Sequence, residues 1–257
     1  MTDRPIPIPF TPMPQSVSWK RRLKNFLFID LKTVAGEASL LSVDPRLQRQ
    51  WEEKIRHFRN EDDLSAAAWY DRRASFYAEF GKIIAVGIGG LYFTDEDQPR
   101  LKVKVLANDD EKALLEELLV ILNRYPAGEL TLCAHNGKEF DFPYLCRRLM
   151  ANGLPLPHAL QISGKKPWEI THQDTLERWQ FGDKRHFVPL DLLAAVLDVP
   201  TRPLEWQGDR TSEVYYREHD WPRIEQYTQD SVVMLVQVYL RMVGAPLVAD
   251  EHIVVSE

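Results

Sequence analysis

Residues 24–34 read KNFLFIDLKTV. Phe26, Leu27, Phe28 and Ile29 form a short apolar run that ends in Asp30, the pattern of a buried strand delivering an acidic residue near its carboxyl end. In open α/β sheets, sites form at the carboxyl ends of strands. Side chains alternate along a strand, so Asp30 and Lys32 point to the same side. The reading places a strand at roughly 25–31 and makes this pair the first place to look for chemistry.

Upstream, residues 1–22 carry five prolines (Pro5, Pro7, Pro9, Pro12, Pro14) and read as an extended arm. Lys20, Arg21, Arg22 and Lys24 read as a solvated charge run. Downstream, residues 44–80 read as two helices. Asp44 is the first cap with Pro45 after it, and Leu47, Trp51, Ile55 and Phe58 recur at helical spacing. Ala66, Trp69, Tyr70, Arg73, Phe76, Tyr77 and Phe80 give the second face.

Residues 83–93 and 101–106 read as a hairpin turning over 94–100. A helix capped by Asn108 runs to about Asn123, followed by a strand at 130–134, a His135-Asn136-Gly137 turn and a helix over 140–150. Residues 152–186 read as a long irregular stretch, of the kind that is often functional. A helix over 189–197, a loop over 201–209 and a long helix over 221–242 ended by Gly244 complete the pattern. Residues 247–257 read as loosely ordered. The order predicts an α/β fold with one mixed sheet flanked by helices. The expected division is an arm at 1–22, a domain at 23–244 and a tail at 245–257.

A chain of 257 residues can bury a sizeable core without staples. Its two cysteines, Cys133 and Cys146, make no disulfide framework and point to a reducing cytoplasm. No run is apolar enough to span a membrane, and no secretion signal opens the chain. The net charge of −6 argues against a broadly basic coat for nucleic acid, though not against a local cationic groove.

Four stretches carry the chemistry: FLFIDLKTV at 26–34, LCAHNGKEFDFPYLCRR at 132–148, RWQFGD at 178–183 and RIEQYTQDSVVMLVQVYLR at 223–241. Together they resemble the DEDD superfamily of 3′–5′ exonucleases. The branch is the one with a tyrosine in its last motif, similar to the proofreading exonuclease domain of family-B DNA polymerases. The resemblance covers about 25–243 and implies a ribonuclease H-like fold. It implies four acidic residues holding two Mg²⁺ or Mn²⁺ ions, and a tyrosine that orients the attacking water.

Residue by residue, Asp30 matches the first acidic position and Lys32 stands at the second. Asp141 matches the third. Tyr227 matches the tyrosine, and Ser231 stands where the last aspartate is expected. A lysine for a glutamate and a serine for an aspartate make the site three charge units more positive than the family pattern. Asp230, one residue early, is a possible shifted ligand, although it is rotated about 100° from Ser231 on a helix; its ordinary reading is a solvated aspartate. Lys32 either pairs with Asp30 and Asp141 in place of a metal's charge or bends out to solvent on its long stem.

His135, Asn136 and Phe140 match positions near the substrate's terminal nucleotide. His135 and Asn136 read equally well as the residues that end the strand and shape its turn. Arg147 and Arg148 could face phosphate but read more simply as solvated. Lys165, Lys166 and Trp168 could meet a single strand, with packing the simpler reading for Trp168. The leading expectation is an exonuclease-like protein, inactive or nearly so and without a bound metal. It would act by binding a single-stranded 3′ end or a protein partner. One alternative is an active enzyme using Asp30, Asp141, Asp230 and Tyr227. The other is a purely structural subunit, whose mark would be a groove with no basic lining and a site filled by its own side chains.

Overall fold

The computed structural model describes Leu23 and residues 25–57, 64–93, 98–206 and 210–256. The proline-rich arm with Lys20, Arg21, Arg22 and Lys24, the Phe58 position, most of the hairpin turn (94–97) and the end of the 201–209 loop lie outside these residues.

Strand β1 runs Phe26–Ala35, four residues past its expected end. Its two faces serve two cores, as the alternation requires. Leu27, Ile29 and Leu31 join one cluster, and Phe26 and Phe28 join another. Helices α1 (Pro45–Ile55) and α2 (Ala66–Arg73) follow. Asp44 caps α1 by accepting from the Arg46 amide, with Pro45 in the first turn. The second helix stops at Arg73 and continues only as a 3₁₀ turn, Ala74–Phe76, so its expected face up to Phe80 breaks there.

Strands β2 (Gly81–Phe93) and β3 (Pro99–Ala107) form the antiparallel hairpin, and β2 also pairs antiparallel with β1. The register of β1 on β2 shifts between Lys32 and Thr33, a bulge of the kind that re-aims side chains beside sites. Helix α3 (Glu111–Leu122) is capped by Asp110 rather than Asn108, whose own side chain accepts from the Asp110 amide one turn earlier. Strand β4 (Thr131–Ala134) lies parallel to β1 and leads through the 135–137 turn into α4 (Asp141–Ala151).

The stretch 152–186, expected to be irregular, holds a two-residue strand β5 (Gln173–Asp174) and helix α5 (Thr175–Gln180). Helices α6 (Leu190–Val196) and α7 (Trp221–Met242) follow. The expected loose tail contributes β6 (Ile253–Ser256), which pairs parallel with β3. Its half-exposed Val254 and Val255 left no clean alternation to read. The sheet order is β5-β4-β1-β2-β3-β6, with β2 the antiparallel member.

Helices α3 and α4 cover one face of the sheet, and α7 covers the other. The close seat of α7 depends on Gly87, where an added Cβ would meet Val232 Cγ2 at 2.3 Å. Glycine on β2 therefore lets the helix that carries Tyr227 and Ser231 approach β1 closely. Cys133 is buried and Cys146 partly buried, both unpaired. Among the described residues, no helix is long and apolar enough to cross a membrane.

Candidate functional site

Three elements converge at the middle of β1. The face of β1 that packs on α7 presents Asp30 and Lys32. Helix α7 presents Tyr227 and Ser231, one turn apart on its inner face, and the first residue of α4 is Asp141. Lys32 is only 6 % exposed. Its ammonium lies 2.6 Å from Asp30 Oδ2, donates to Ser231 Oγ at 2.8 Å and sits 3.9 Å from the centroid of the Tyr227 ring. The lysine does not bend out to solvent; its donors turn inward to a carboxylate, a hydroxyl and an aromatic face.

The approach to Asp30 is an ion pair by distance, and Asp30 Oδ2 is a buried oxygen that no donor among the described residues meets in hydrogen-bonding orientation. Such an oxygen needs a cation beside it, and Lys32 is that cation. Burial opposes the ammonium charge. Asp30, then Tyr227 and Asp141, more than offset it, and the Lys32 pKa is raised.

Asp141 is buried, and its Oδ1 accepts from the Leu31 amide at 3.1 Å. Burial, then the neighbouring Asp30 carboxylate, push its pKa well above the usual carboxylate value; the Leu31 amide and Lys32 oppose this less strongly. Tyr227 is held between Lys32 and Trp206, whose ring stacks on it at 4.3 Å. Burial raises the tyrosine pKa, and Lys32 works against that.

Asp230 does not join this cluster. It turns to another face of α7, where Gln226 Nε2 donates to its Oδ1 at 3.0 Å, and it borders a cavity with Arg202 and Gln237. Among the described residues, no group of three or more histidine, cysteine, aspartate or glutamate side chains is placed to hold a metal ion.

The 135–140 turn forms the wall beside the cleft. His135 Nε2 lies 2.7 Å from the Val188 carbonyl, which can only accept, so Nε2 carries the proton. Nδ1, 2.9 Å from Thr175 Oγ1, then accepts from that hydroxyl. Burial lowers the His135 pKa. Asn136 adopts φ 60°, a left-handed conformation that asparagine tolerates. Phe140 packs between Tyr144, at 5.2 Å, and Phe76, at 6.3 Å.

The residue that fixes this turn is Asp174, which the sequence analysis does not single out. Its carboxylate accepts from the amides of Asn136, Lys138, Leu176 and Glu177, so one side chain caps α5 and holds the turn. The signal was present as Asp174-Thr-Leu-Glu177, an N-cap with glutamate three residues on. Of the weaker candidates, Arg148 is engaged by buried Glu111 and donates to the Ala78 carbonyl at 2.8 Å, so it faces neither solvent nor phosphate. Trp168 is 77 % exposed, with Lys166 over its ring, and does not pack inside.

Comparison with known proteins gives three likenesses. The family described as a predicted 3′–5′ exonuclease related to the exonuclease domain of PolB matches residues 76–250, more than half of the chain. The matched range holds Asp141, Tyr227 and Ser231 and leaves out β1 with Asp30 and Lys32. DNA polymerase 1 of Aeropyrum pernix is 35 % identical over 74 residues, which are 29 % of this chain and 7 % of that protein. The structure of the family B DNA polymerase of Pyrobaculum calidifontis superimposes with a TM-score of 0.50 at 13 % identity, covering 86 % of this chain and 26 % of that one. The chain thus spans a small part of either polymerase.

Proposed function

The chain belongs to the family of predicted 3′–5′ exonucleases related to the exonuclease domain of PolB, and we propose that in this member a buried ammonium has replaced the metal centre, so that the protein binds a single-stranded nucleic-acid end without cutting it. The observation that carries this reading is the position of Lys32, whose ammonium lies 2.6 Å from Asp30 and 2.8 Å from Ser231. The resemblance implies a two-metal mechanism. Two dications roughly 3.5–4 Å apart repel strongly and coexist only among several carboxylates. Here Asp30 and Asp141 remain and a fixed positive charge stands beside them, so the residues present do not fit the metal pair.

The active alternative asked Asp230 to supply a missing ligand. Its hydrogen bond with Gln226 and its place near Arg202 and Gln237 weigh against that role. The structural-subunit alternative is supported by a site filled by the protein's own side chains, but three arginines lining a nearby cavity weigh against it. Incubating the purified protein with a 5′-labelled single-stranded oligonucleotide and Mg²⁺ or Mn²⁺ tests the reading. The expected result is binding with no shortening of the strand above background. Metal-dependent 3′–5′ shortening that disappears in Asp30→Ala would overturn it.

A further inference from the structure

The far end of β1 opens into a cavity of about 640 Å³ that the cleft does not use. Arg72 and Arg73 line it from the end of α2, and Arg217 lines it from a π-helical segment, Val214–Glu218. Short π-helical turns are rare and concentrate at functional sites. This one is clamped to β1: Tyr216 donates to the Ala35 carbonyl at 2.7 Å, and the Ala35 amide donates to Ser212 Oγ at 3.3 Å. The Ala35 amide and carbonyl are therefore satisfied within the protein.

All three arginines are exposed. Asp71 and Glu213 also line the cavity, so three guanidinium groups stand with two carboxylates. A local excess of positive charge on a chain of net charge −6 is a recognition feature rather than a general property of the surface. Phe76, 41 % exposed, stands in the wall; the Arg73 guanidinium lies over one side of its ring at 5.9 Å, and the ring meets that of Phe140, the residue before Asp141. The Phe76–Phe140 pair links the cavity wall to the turn that leads into Asp141.

We infer that this cavity is the strand-binding site of the protein: Arg72, Arg73 and Arg217 receive consecutive phosphates of a single-stranded nucleic acid, and a base stacks on Phe76. Guanidinium groups match phosphate oxygens in geometry and charge. An aromatic face beside a cationic groove is the usual platform for a single strand. The inference deepens the binding reading above and rests on it.

Fluorescence anisotropy with 5′-labelled dT and rU twelve-mers, over a series of salt concentrations, tests it. The unmodified protein is expected to bind. The triple variant Arg72→Ala/Arg73→Ala/Arg217→Ala is expected to bind about tenfold more weakly or worse. Its log–log salt slope should be shallower by about 2, because each single-strand phosphate contact contributes about 0.7. The matching triple change to lysine should keep most of the slope. Phe76→Ala should weaken binding and leave the slope alone. Arg185→Ala, an exposed arginine paired with Asp183, serves as the neutral control. The tighter of the two strands names the polymer. Unchanged affinity and slope in the triple alanine variant would overturn the cavity assignment and leave the binding reading standing. Failure of the unmodified protein to bind either strand would overturn both.

Discussion

Two positively charged places lie along β1, one at Lys32 and one beyond Ala35, and their charge faces opposite ways. At Lys32 the ammonium is buried and turned onto Asp30, Ser231 and Tyr227. Beyond Ala35 the guanidinium groups of Arg72, Arg73 and Arg217 are exposed around an open cavity. The first charge belongs to the fold and the second lies at the surface. A charge count alone would not separate them. Burial and partners do, and they predict different consequences for removing each charge.

The largest effect is expected from Lys32→Met, which leaves Asp30 and Asp141 as neighbouring carboxylates with no cation between them. Removing one partner of a buried pair costs about 3–5 kcal/mol; Asp30 keeps some solvent access, so about 3 kcal/mol is expected. Urea unfolding followed by circular dichroism reads it. A loss under about 1 kcal/mol would mean that the cleft charge is not structural and would break the comparison.

The wall of the cleft should respond to acid. Burial lowers the His135 pKa from 6.5, so the folded state favours the neutral ring. Its stability contribution is present above pH 6.5 and is lost as pH falls from there toward the lowered value, because only the unfolded chain then takes up the proton. A loss of about 1 kcal/mol is expected between pH 7 and pH 5. His135→Gln should flatten that part of the curve; an unchanged slope in the variant would count against a buried neutral ring.

Asp141→Asn should act in the other direction. A carboxyl whose pKa is raised in the folded state weakens stability as pH climbs past its unfolded value of 3.8. Asparagine keeps an oxygen for the Leu31 amide and removes the repulsion with Asp30. The variant should be more stable at pH 7 by about 1 kcal/mol, with the gain gone below pH 4. A destabilised variant at pH 7 would show that Asp141 is ionised and paired.

The smallest effect sharpens the contrast from the other side. Arg72→Ala/Arg73→Ala/Arg217→Ala should change unfolding free energy by no more than about 0.5 kcal/mol, as exposed substitutions do. A larger loss would mean that these charges also face the fold.

The sequence made some of this legible and hid the rest for physical reasons. The apolar run of β1 and the periodic patterns of the hairpin, α3, α4 and α7 could be read because each is buried on a continuous or repeating face. The two-residue strand β5 and the half-exposed β6 carry too short a pattern for period counting. The inward turn of Lys32 was one of two open readings, since its stem is long enough to reach solvent or Asp30, and only packing decides. Asp174 carried a readable cap signal that was masked by the irregular composition around it. The arginine cavity could not be read at all. Its residues lie at 72–73 and 217, far apart in sequence, and they meet where the π-helical segment is held to Ala35.

In the proposed reading, the Lys32 ammonium stands where the family's metals are expected. Mn²⁺ titration followed by electron paramagnetic resonance, on the unmodified protein and on Lys32→Glu/Ser231→Asp, tests it most directly. The expected result is no saturable Mn²⁺ binding in the unmodified protein and measurable binding once the two acidic positions are restored. Saturable binding by the unmodified protein that is lost in Asp30→Ala would contradict it.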